Sequence, residues 1–261
     1  MGKFEALYGV DVRGALEDGL PGPPASITFL NDAEAFMWGE RLFGAAAGYA
    51  RCVGITLGTG VGSAFFAGGA VRRSGAGVPP EGRVDLLEID GSPLEDVVST
   101  RALLREYRLR TGAAVGGGAE LATRARAGEG VAAAVLSSSF ERLGTALRPW
   151  LEAFGAQALV VGGAMTGSWD LVCPALSQGL HGVMPSCLEG LVVVVAAHPA
   201  DAALLGAAAR ARRPRTDSQE AGSKEAGSKE AGGGRAGRER AGRGLAGKEL
   251  GGAGLQGSAV L

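Results

Sequence analysis

Apolar residues follow two alternating patterns over the first 212 residues of this 261-residue chain: short continuous runs and longer stretches at helical spacing. Short apolar runs at 52–57, 158–161 and 191–196 are typical of buried strands. From 131 to 154 apolar residues recur at helical spacing, which predicts one long amphipathic helix that packs in the core. Further strands are predicted at 26–30 and 63–71, and further helices at 33–47, 99–109, 119–127, 169–180 and 200–212. This alternation predicts a layered α/β architecture.

The composition changes abruptly after Arg213. The pentapeptide Glu-Ala-Gly-Ser-Lys occurs twice in succession, at 220–224 and 225–229, and glycine, arginine and alanine dominate the sequence from there to Leu261. Such a segment has too little apolar surface to offset the entropy lost on ordering, so residues 213–261 are predicted to form a disordered tail. Its arginines are interspersed with acidic residues and have no aromatic neighbours, which favours a solvated tail over a nucleic-acid-binding one.

The first candidate for chemistry is the segment Asn31-Asp32-Ala33-Glu34, at the predicted start of a helix. A carboxylate in this position can take a proton from a hydroxyl, as phosphoryl transfer to an alcohol requires. The segment also has a purely structural interpretation, because Asn31 or Asp32 can cap the helix and Glu34 completes a spacing similar to a capping box. The sequence leaves both interpretations open.

The second candidate is the loop Gly58-Thr59-Gly60-Val61-Gly62, which follows a predicted strand. Its glycines would let the backbone turn tightly and approach a phosphate, its N–H groups would form an anion-binding concavity, and Thr59 adds a hydroxyl donor. A second strand follows this loop, whereas a dinucleotide-binding loop must open into a helix, so NAD binding is not expected. A glycine-rich hairpin turn without a ligand is the alternative interpretation.

These two candidates, followed in order by the segments at 93–99, 159–164 and 203–208, resemble the ROK family (repressor, open reading frame, kinase). The resemblance extends over roughly residues 7–212. It implies an α/β fold with one actin-like (ribonuclease-H-like) ATPase lobe as the main domain at 31–212. Residues 1–30 would then be a remnant of the N-terminal lobe with the strand that leads into the main domain, and most of that lobe is expected to be missing.

The kinase members of the ROK family phosphorylate sugars with ATP, so the resemblance implies a glucokinase-like enzyme that uses ATP and Mg²⁺. It implies that Asp32 is the general base. The residues that it places at the sugar are Asn31, Glu81 and Glu95. The residues that it places at the nucleotide are Gly58, Thr59, Gly60, Gly62, Gly162 and Gly163. The resemblance is compatible with a homodimer, and no structural zinc is predicted.

Two departures from the family pattern favour other functions. The family kinases carry a D-x-G-x-T phosphate loop, and the 261 residues contain no such segment. The family also has a G-E-x-G-H segment whose Glu and His bind the sugar, but the corresponding region at 78–88 has no histidine, so either Glu81 stands for the family Glu or Arg83 has replaced it. The alternatives are therefore a noncatalytic, sugar-responsive regulatory relative and an inactive remnant of a ROK protein.

Glu95 also has a structural interpretation. Ser92-Pro93-Leu94-Glu95 has the spacing of a capping box with proline at the first helical position, which would start a helix that continues through Tyr107 without any ligand. Both interpretations stay open, since a side chain at a helix start can serve either purpose.

Charge and cysteine content narrow the class of protein without naming a reaction. The 26 basic and 27 acidic residues give a formal net charge of −1, which provides no electrostatic argument for a nucleic-acid partner. Three widely spaced cysteines, Cys52, Cys173 and Cys187, indicate buried thiols, and neither a disulfide framework nor a zinc site. No secretory signal is visible, and the apolar runs are too short to span a bilayer, so a cytoplasmic protein with no membrane partner is expected.

Overall fold

The computed structural model describes residues 9–21, 27–181 and 190–212, and the backbone of residues 259–260. Cys187 and nearly all of the predicted tail at 213–261 lie outside the described residues. The helices are α1 (Val12–Gly19), α2 (Asp32–Phe43), α3 (Glu95–Val98), α4 (Thr100–Thr111), α5 (Gly118–Arg126), α6 (Gly130–Phe154), α7 (Trp169–His181) and α8 (Ala202–Ala211). The strands are β1 (Leu30–Asn31), β2 (Arg51–Leu57), β3 (Val61–Ala67), β4 (Ala70–Arg72), β5 (Glu88–Ile89), β6 (Ser92–Pro93), β7 (Ala158–Gly162), β8 (Val192–Val195) and β9 (Ala259–Val260). Short 3₁₀ turns lie at Pro80–Gly82 and Ala164–Ser168.

Five strands form the central sheet in the order β4-β3-β2-β7-β8. Strands β2, β3 and β4 pair antiparallel, whereas β7 and β8 run parallel to β2. The β3–β4 turn consists of Gly68 and Gly69, whose φ angles of 60° and 77° suit a two-residue hairpin. This order and direction of strands is the arrangement of a ribonuclease-H-like lobe, so the predicted fold class is confirmed.

The sheet separates two apolar layers because alternate residues of each strand face opposite sides. Val53, Ile55 and Leu57 belong to a large cluster covered by α4, α5, α6 and α7. Cys52 and its neighbours in space belong to a smaller cluster beneath α2 and α8. The result is a three-layer α/β/α lobe with β2 and β7 at its centre.

Helices α2 and α8 cross at a close distance through small residues. A methyl group on Gly39 would overlap the carbonyl of Ala202, and one on Gly206 would overlap the carbonyl of Ala35. The pair is also tied by the fully buried Glu40, whose carboxylate accepts hydrogen bonds from the backbone N–H groups of Ala45, Ala197 and His198. These contacts fix the position of α2 along the sheet.

Cys52 is a buried thiol, as predicted. Burial raises its pKa to about 11, and the positive charge of Arg41 opposes that shift. The thiol is therefore neutral at physiological pH. Cys173 is also a free thiol but is only partly buried.

Element boundaries differ from the sequence-based expectation where tertiary contacts decide them. In the predicted strand at 26–30, the described residues include only Leu30 in a strand, because the chain enters α2 directly after Asn31. Helix α2 ends at Phe43 and not at residue 47, since the backbone at Gly44 leaves the helical region. Helix α1 was not predicted; it has no buried residue, and Asp11 caps it.

Strand β9 pairs antiparallel with β1 through Leu30 and Asn31. Among the described residues, no helix has the length and apolar character needed to cross a membrane.

Candidate active site

Helix α2 begins with a division of tasks between two adjacent side chains. Asn31 is the N-cap, and its Oδ1 accepts hydrogen bonds from the backbone N–H groups of Ala33 at 3.0 Å and Glu34 at 3.3 Å. Asp32 is the first helical residue, and its Oδ1 accepts a hydrogen bond only from Ala33 N–H, at 2.9 Å, within the described part of the chain. Asn31 therefore does the capping, and most of the lone pairs of the half-buried Asp32 carboxylate are available to a ligand.

Glycines in the sheet bring the N-terminal part of α2 close to the strands. A Cβ on Gly54 would lie 2.9 Å from Met37 Sδ and 3.2 Å from the ring of Phe36. One on Gly162 would lie 2.5 Å from the opposite edge of the Phe36 ring. Since only glycine fits beneath this ring, Gly54 and Gly162 determine how closely α2 packs on the sheet.

Asp32 lies beside the far end of the glycine loop as a result. Its Oδ1 is 4.0 Å from the position that a Cβ would take on Gly62, and Thr56 Oγ1 is 2.6 Å from that position. Gly62 is paired with Thr56 in the β2–β3 ladder. The two candidates singled out in the sequence are therefore neighbours in the fold.

The glycine loop connects β2 to β3 and is closed by a hydrogen bond from Gly58 N–H to the carbonyl of Gly60 at 3.0 Å. We expected glycines that let the backbone turn tightly, but neither Gly58, Gly60 nor Gly62 adopts a left-handed φ. Close neighbours explain two of them instead: Gly60 faces Glu95 Oε2, 2.8 Å from the position of a Cβ, and Gly62 faces Thr56. Gly58 faces open space, and Thr59 is exposed.

Glu95 contacts this loop directly. Its Oε2 accepts a hydrogen bond from Val61 N–H at 3.1 Å, and its Oε1 forms an ion pair with Arg101 Nη2 at 2.8 Å. The predicted capping box is wrong: Ser92 lies in β6, and Leu94 occupies the N-cap position of α3 without a side-chain cap. The helix is interrupted at Ser99, which has extended backbone and caps α4 by accepting from Ala102 N–H.

The segment after β4 presents Glu81 and Arg83 in different ways. Glu81 is exposed and has a φ of 56°, which is uncommon for a residue other than glycine. Arg83 is half-buried and makes a bidentate ion pair with Asp85, at 3.2 and 2.6 Å. The hydrogen bond with Asp85 is the largest cause that raises the pKa of Arg83, burial opposes it, and the charges of Asp85, Glu81 and Glu95 add to it. Glu81, Arg83 and Glu95 are therefore close enough to interact electrostatically.

A second ion pair in this region was not found from the sequence. Arg73 binds both oxygens of the nearly buried Glu34 carboxylate, at 2.6 and 2.8 Å. The hydrogen bond to Glu34 raises the pKa of Arg73, burial opposes the shift, and the charges of Glu34 and Glu81 reinforce it. Glu34 thus serves an ion pair with a loop 39 residues away in sequence rather than the predicted capping box. No short-range signal could have revealed that pairing.

The nucleotide-site candidates Gly162 and Gly163 lie at the end of β7, next to the glycine loop. Gly162 is beneath Phe36, and Gly163 has a φ of 89° and sits against the backbone of Leu57, the residue before Gly58. Both glycines therefore have packing reasons of their own. Thr166 closes the turn by donating from its hydroxyl and its N–H to the carbonyl of Gly163.

The assembled site combines an accessible carboxylate at Asp32, the backbone of the glycine loop and a carboxylate at Glu95. These are chemical groups that phosphoryl transfer to an alcohol can use. No group of three or more His, Cys, Asp or Glu side chains that could hold a metal ion occurs among the described residues. Mg²⁺ that arrives with ATP requires less of the protein, because phosphate oxygens and waters can supply most of its ligands.

Comparison with known proteins identifies the lineage of this lobe. The model of the ROK family matches residues 9–213, about four fifths of the chain. The chain belongs to the ROK family. A ROK glucokinase from Streptomyces griseus, solved in complex with glucose and AMPPNP, is 27% identical and has a TM-score of 0.58; the match covers 70% of this chain and 67% of that one.

Two glucokinases are similar over the same part of the chain. The glucokinase of Streptomyces coelicolor is 30% identical over 211 residues, and that of Thermotoga maritima is 28% identical over 200 residues. The matches cover 70% and 68% of this chain, respectively. They cover 66% and 63% of those relatives, so the chain spans a little less than two thirds of their length.

Proposed function

We propose that this ROK chain forms the sugar-binding lobe of an ATP-dependent sugar kinase in which Asp32 accepts the proton of the reacting hydroxyl. The observation that carries the proposal is the Asp32 carboxylate beside Gly62, with the capping of α2 assigned to Asn31. The carboxylate therefore faces the end of the loop proposed to meet the phosphates. The relative bound to glucose and AMPPNP supports a hexose and ATP as the substrate class.

The other residues have complementary roles in this proposal. Asn31 offers its amide Nδ2 to a sugar hydroxyl, since its Oδ1 is engaged in the cap. Gly58, Thr59, Gly60 and Gly62 form the wall that faces the phosphates, and Gly162 and Gly163 border the adenosine. Mg-ATP would supply the phosphoryl group, while the chain's own contribution is to hold the hydroxyl in line and take its proton.

Glu81 is the better candidate than Arg83 for the sugar-side role. Arg83 is already engaged by Asp85 in a bidentate pair. Glu81 is exposed in an uncommon backbone conformation and interacts with the positive charges of both Arg73 and Arg83. Residues held in uncommon conformations are concentrated at ligand sites, which supports Glu81.

The second candidate function is sugar binding without catalysis. It is favoured by the absence of histidine at 78–88 and of a D-x-G-x-T segment anywhere in the 261 residues. Phosphoryl transfer in a two-lobed kinase depends on phosphate contacts from both lobes. Correct orientation of the reactants can lower the activation barrier by roughly 7–11 kcal/mol. We therefore expect the 261-residue chain alone to turn over very slowly.

The test measures binding and turnover separately. Calorimetry with AMPPNP and with glucose reports the two sites, and a coupled ADP-release assay surveys hexoses and N-acetylhexosamines. Asp32→Asn should lower any sugar-dependent turnover by about 10²- to 10⁴-fold and leave both affinities nearly unchanged. Stability should also be retained, because Asn31 and not Asp32 caps α2.

Each outcome separates the candidates. Binding of sugar without binding of AMPPNP, and with no measurable turnover, would favour the noncatalytic function, and binding of neither ligand would contradict both. Turnover near 10 s⁻¹, about the median for enzymes, would show that this chain needs no further phosphate loop. Turnover that Asp32→Asn leaves intact would remove Asp32 from the role of base.

A further inference from the structure

The glycine loop is held by three contacts from the region where α3 meets α4. Thr100 N–H donates to the carbonyl of Gly58 at 2.8 Å. Arg101 Nε donates to the carbonyl of Thr59 at 3.2 Å, and Val61 N–H donates to Glu95 Oε2 at 3.1 Å. Contacts at three of its residues make the loop an extension of the α3–α4 corner.

Arg101 connects the glycine loop to Glu95, which itself accepts a hydrogen bond from the loop. The same guanidinium that binds the loop at Thr59 also binds Glu95 Oε1 at 2.8 Å. Both oxygens of Glu95 are thereby oriented, one by the arginine and one by the loop. The side chain of Arg101 is 66% exposed and that of Glu95 is 32% exposed, so the pair contributes little to global stability. Its effect is expected to be local to the loop.

We propose that Arg101 is a positioning residue that fixes the glycine loop and the Glu95 carboxylate relative to each other. The proposal rests on the proposed kinase function, in which the loop faces phosphates and Glu95 faces the sugar. Loss of the guanidinium removes one donor from the Thr59 carbonyl and one from Glu95 Oε1, while the hydrogen bond from Val61 N–H to Glu95 Oε2 stays in place. The loop amides then sample several arrangements, and a phosphate must select among them at a cost in affinity.

Arg110 provides a matched control in the same helix. It is also partly exposed and also pairs with a glutamate, Glu106, at 2.6 Å, but this pair lies within α4 and does not contact the loop. Arg101→Met removes an Arg–Glu pair that joins α4 to α3, and Arg110→Met removes one that lies within α4. A difference between the two variants therefore reports the contact with the loop.

The experiment compares the wild-type chain, Arg101→Met, Arg101→Lys and Arg110→Met. Hydrogen–deuterium exchange of the segment 57–62 is measured without ligand, together with AMPPNP affinity by calorimetry and the melting temperature. Arg101→Met should speed exchange in the loop and weaken AMPPNP binding, each by roughly two- to tenfold. Arg101→Lys should give a smaller change, Arg110→Met no change, and all four melting temperatures should agree closely.

Unchanged loop exchange in Arg101→Met, or an equal change in Arg110→Met, would overturn the proposal. Faster loop exchange with unchanged AMPPNP affinity would also overturn it, since Arg101 would then fix the loop without influencing nucleotide binding. If the wild-type chain binds no AMPPNP, the proposed function fails; loop exchange then decides alone whether Arg101 fixes the loop.

Discussion

Asn31 and Asp32 are adjacent in the chain but have different roles: Asn31 caps α2, and Asp32 is the proposed base. Both side chains can cap a helix, and local spacing alone provides no reason to prefer one. Backbone geometry makes the choice, because the extended φ and ψ of Asn31 direct its side-chain oxygen at two N–H groups of α2. Asp32 is then left with a carboxylate that faces Gly62.

The glycine loop offers a test at the scale of one methyl group. Gly58→Ala adds its methyl to open space, so the free energy of unfolding should change by less than about 1 kcal/mol. If the loop faces a phosphate, that methyl should still weaken AMPPNP binding several-fold. Gly62→Ala places the same group against Thr56 Oγ1 and the Cβ of Ala33 and should destabilise the chain by about 1–3 kcal/mol.

Urea denaturation and calorimetry distinguish these results. Equal stability losses in the two variants would contradict the packing described for the loop. Normal AMPPNP affinity in Gly58→Ala would favour the alternative interpretation, in which the loop is a hairpin turn without a ligand.

Residues that lie within one motif were predictable, and residues that join distant segments were not. Asp32, Glu95 and the glycine loop carry local patterns of spacing. Arg73 and Arg101 belong to no local pattern of spacing, because each acts through a partner in another part of the chain. The partner of Arg73 is Glu34, and that of Arg101 is the Thr59 carbonyl. The site residues remain proposals, whereas these contacts are features of the fold.

At the scale of elements, periodicity predicted the strands of the central sheet and the helices packed on it, but not α1, β5 or β6, and not where several elements end. The long apolar stripe predicted α6, and the short apolar runs predicted β2, β7 and β8. The helix predicted at 99–109 corresponds to α4, whereas the longer helix that a start at Pro93 would give is divided at Ser99, whose hydroxyl caps α4 by accepting from Ala102 N–H. That break also allows Thr100 N–H to reach Gly58, so it has a consequence for the site.

The crossing of α2 and α8 provides the second test. Gly206→Ala adds a methyl that overlaps the carbonyl of Ala35, so the helices must separate and the chain should lose about 1–3 kcal/mol or more. Gly130→Ala is the control, since that helical glycine has open space around it and alanine is the better helix former. It should be neutral or stabilising by up to about 1 kcal/mol. Urea denaturation measures both, and a loss in Gly130→Ala as large as that in Gly206→Ala would contradict the assigned packing.

For the whole molecule, the fold class could be predicted from the alternation of strands and helices together with the family motifs. The strand order β4-β3-β2-β7-β8 could not be read from periodicity alone, because it depends on which strands pair. The family match ends at residue 213, where the composition changes. Deletion of the segment beyond that point tests what it contributes to stability.

Deletion of residues 214–261 should lower the melting temperature by less than about 2 °C, because the described contact of this segment is one two-residue strand pair between β1 and β9. Deletion from residue 200 onwards is the control. It also removes α8, whose Ala202 and Gly206 pack on α2, and should prevent stable folding. Thermal unfolding followed by circular dichroism measures both. A fall of several degrees in the shorter deletion would mean that the segment packs on the domain.

Glu40 links the candidate active site to surface loops at the other end of α2. It lies eight residues after Asp32 on α2, about 12 Å away along the helix axis, and holds the backbone of residues 45, 197 and 198. A rigid rod fixed at one end transmits any tilt of that end to the other. Substitutions in the surface loops around Glu40 can therefore change the angle at which Asp32 meets a hydroxyl group, even though no residue of the site itself is altered.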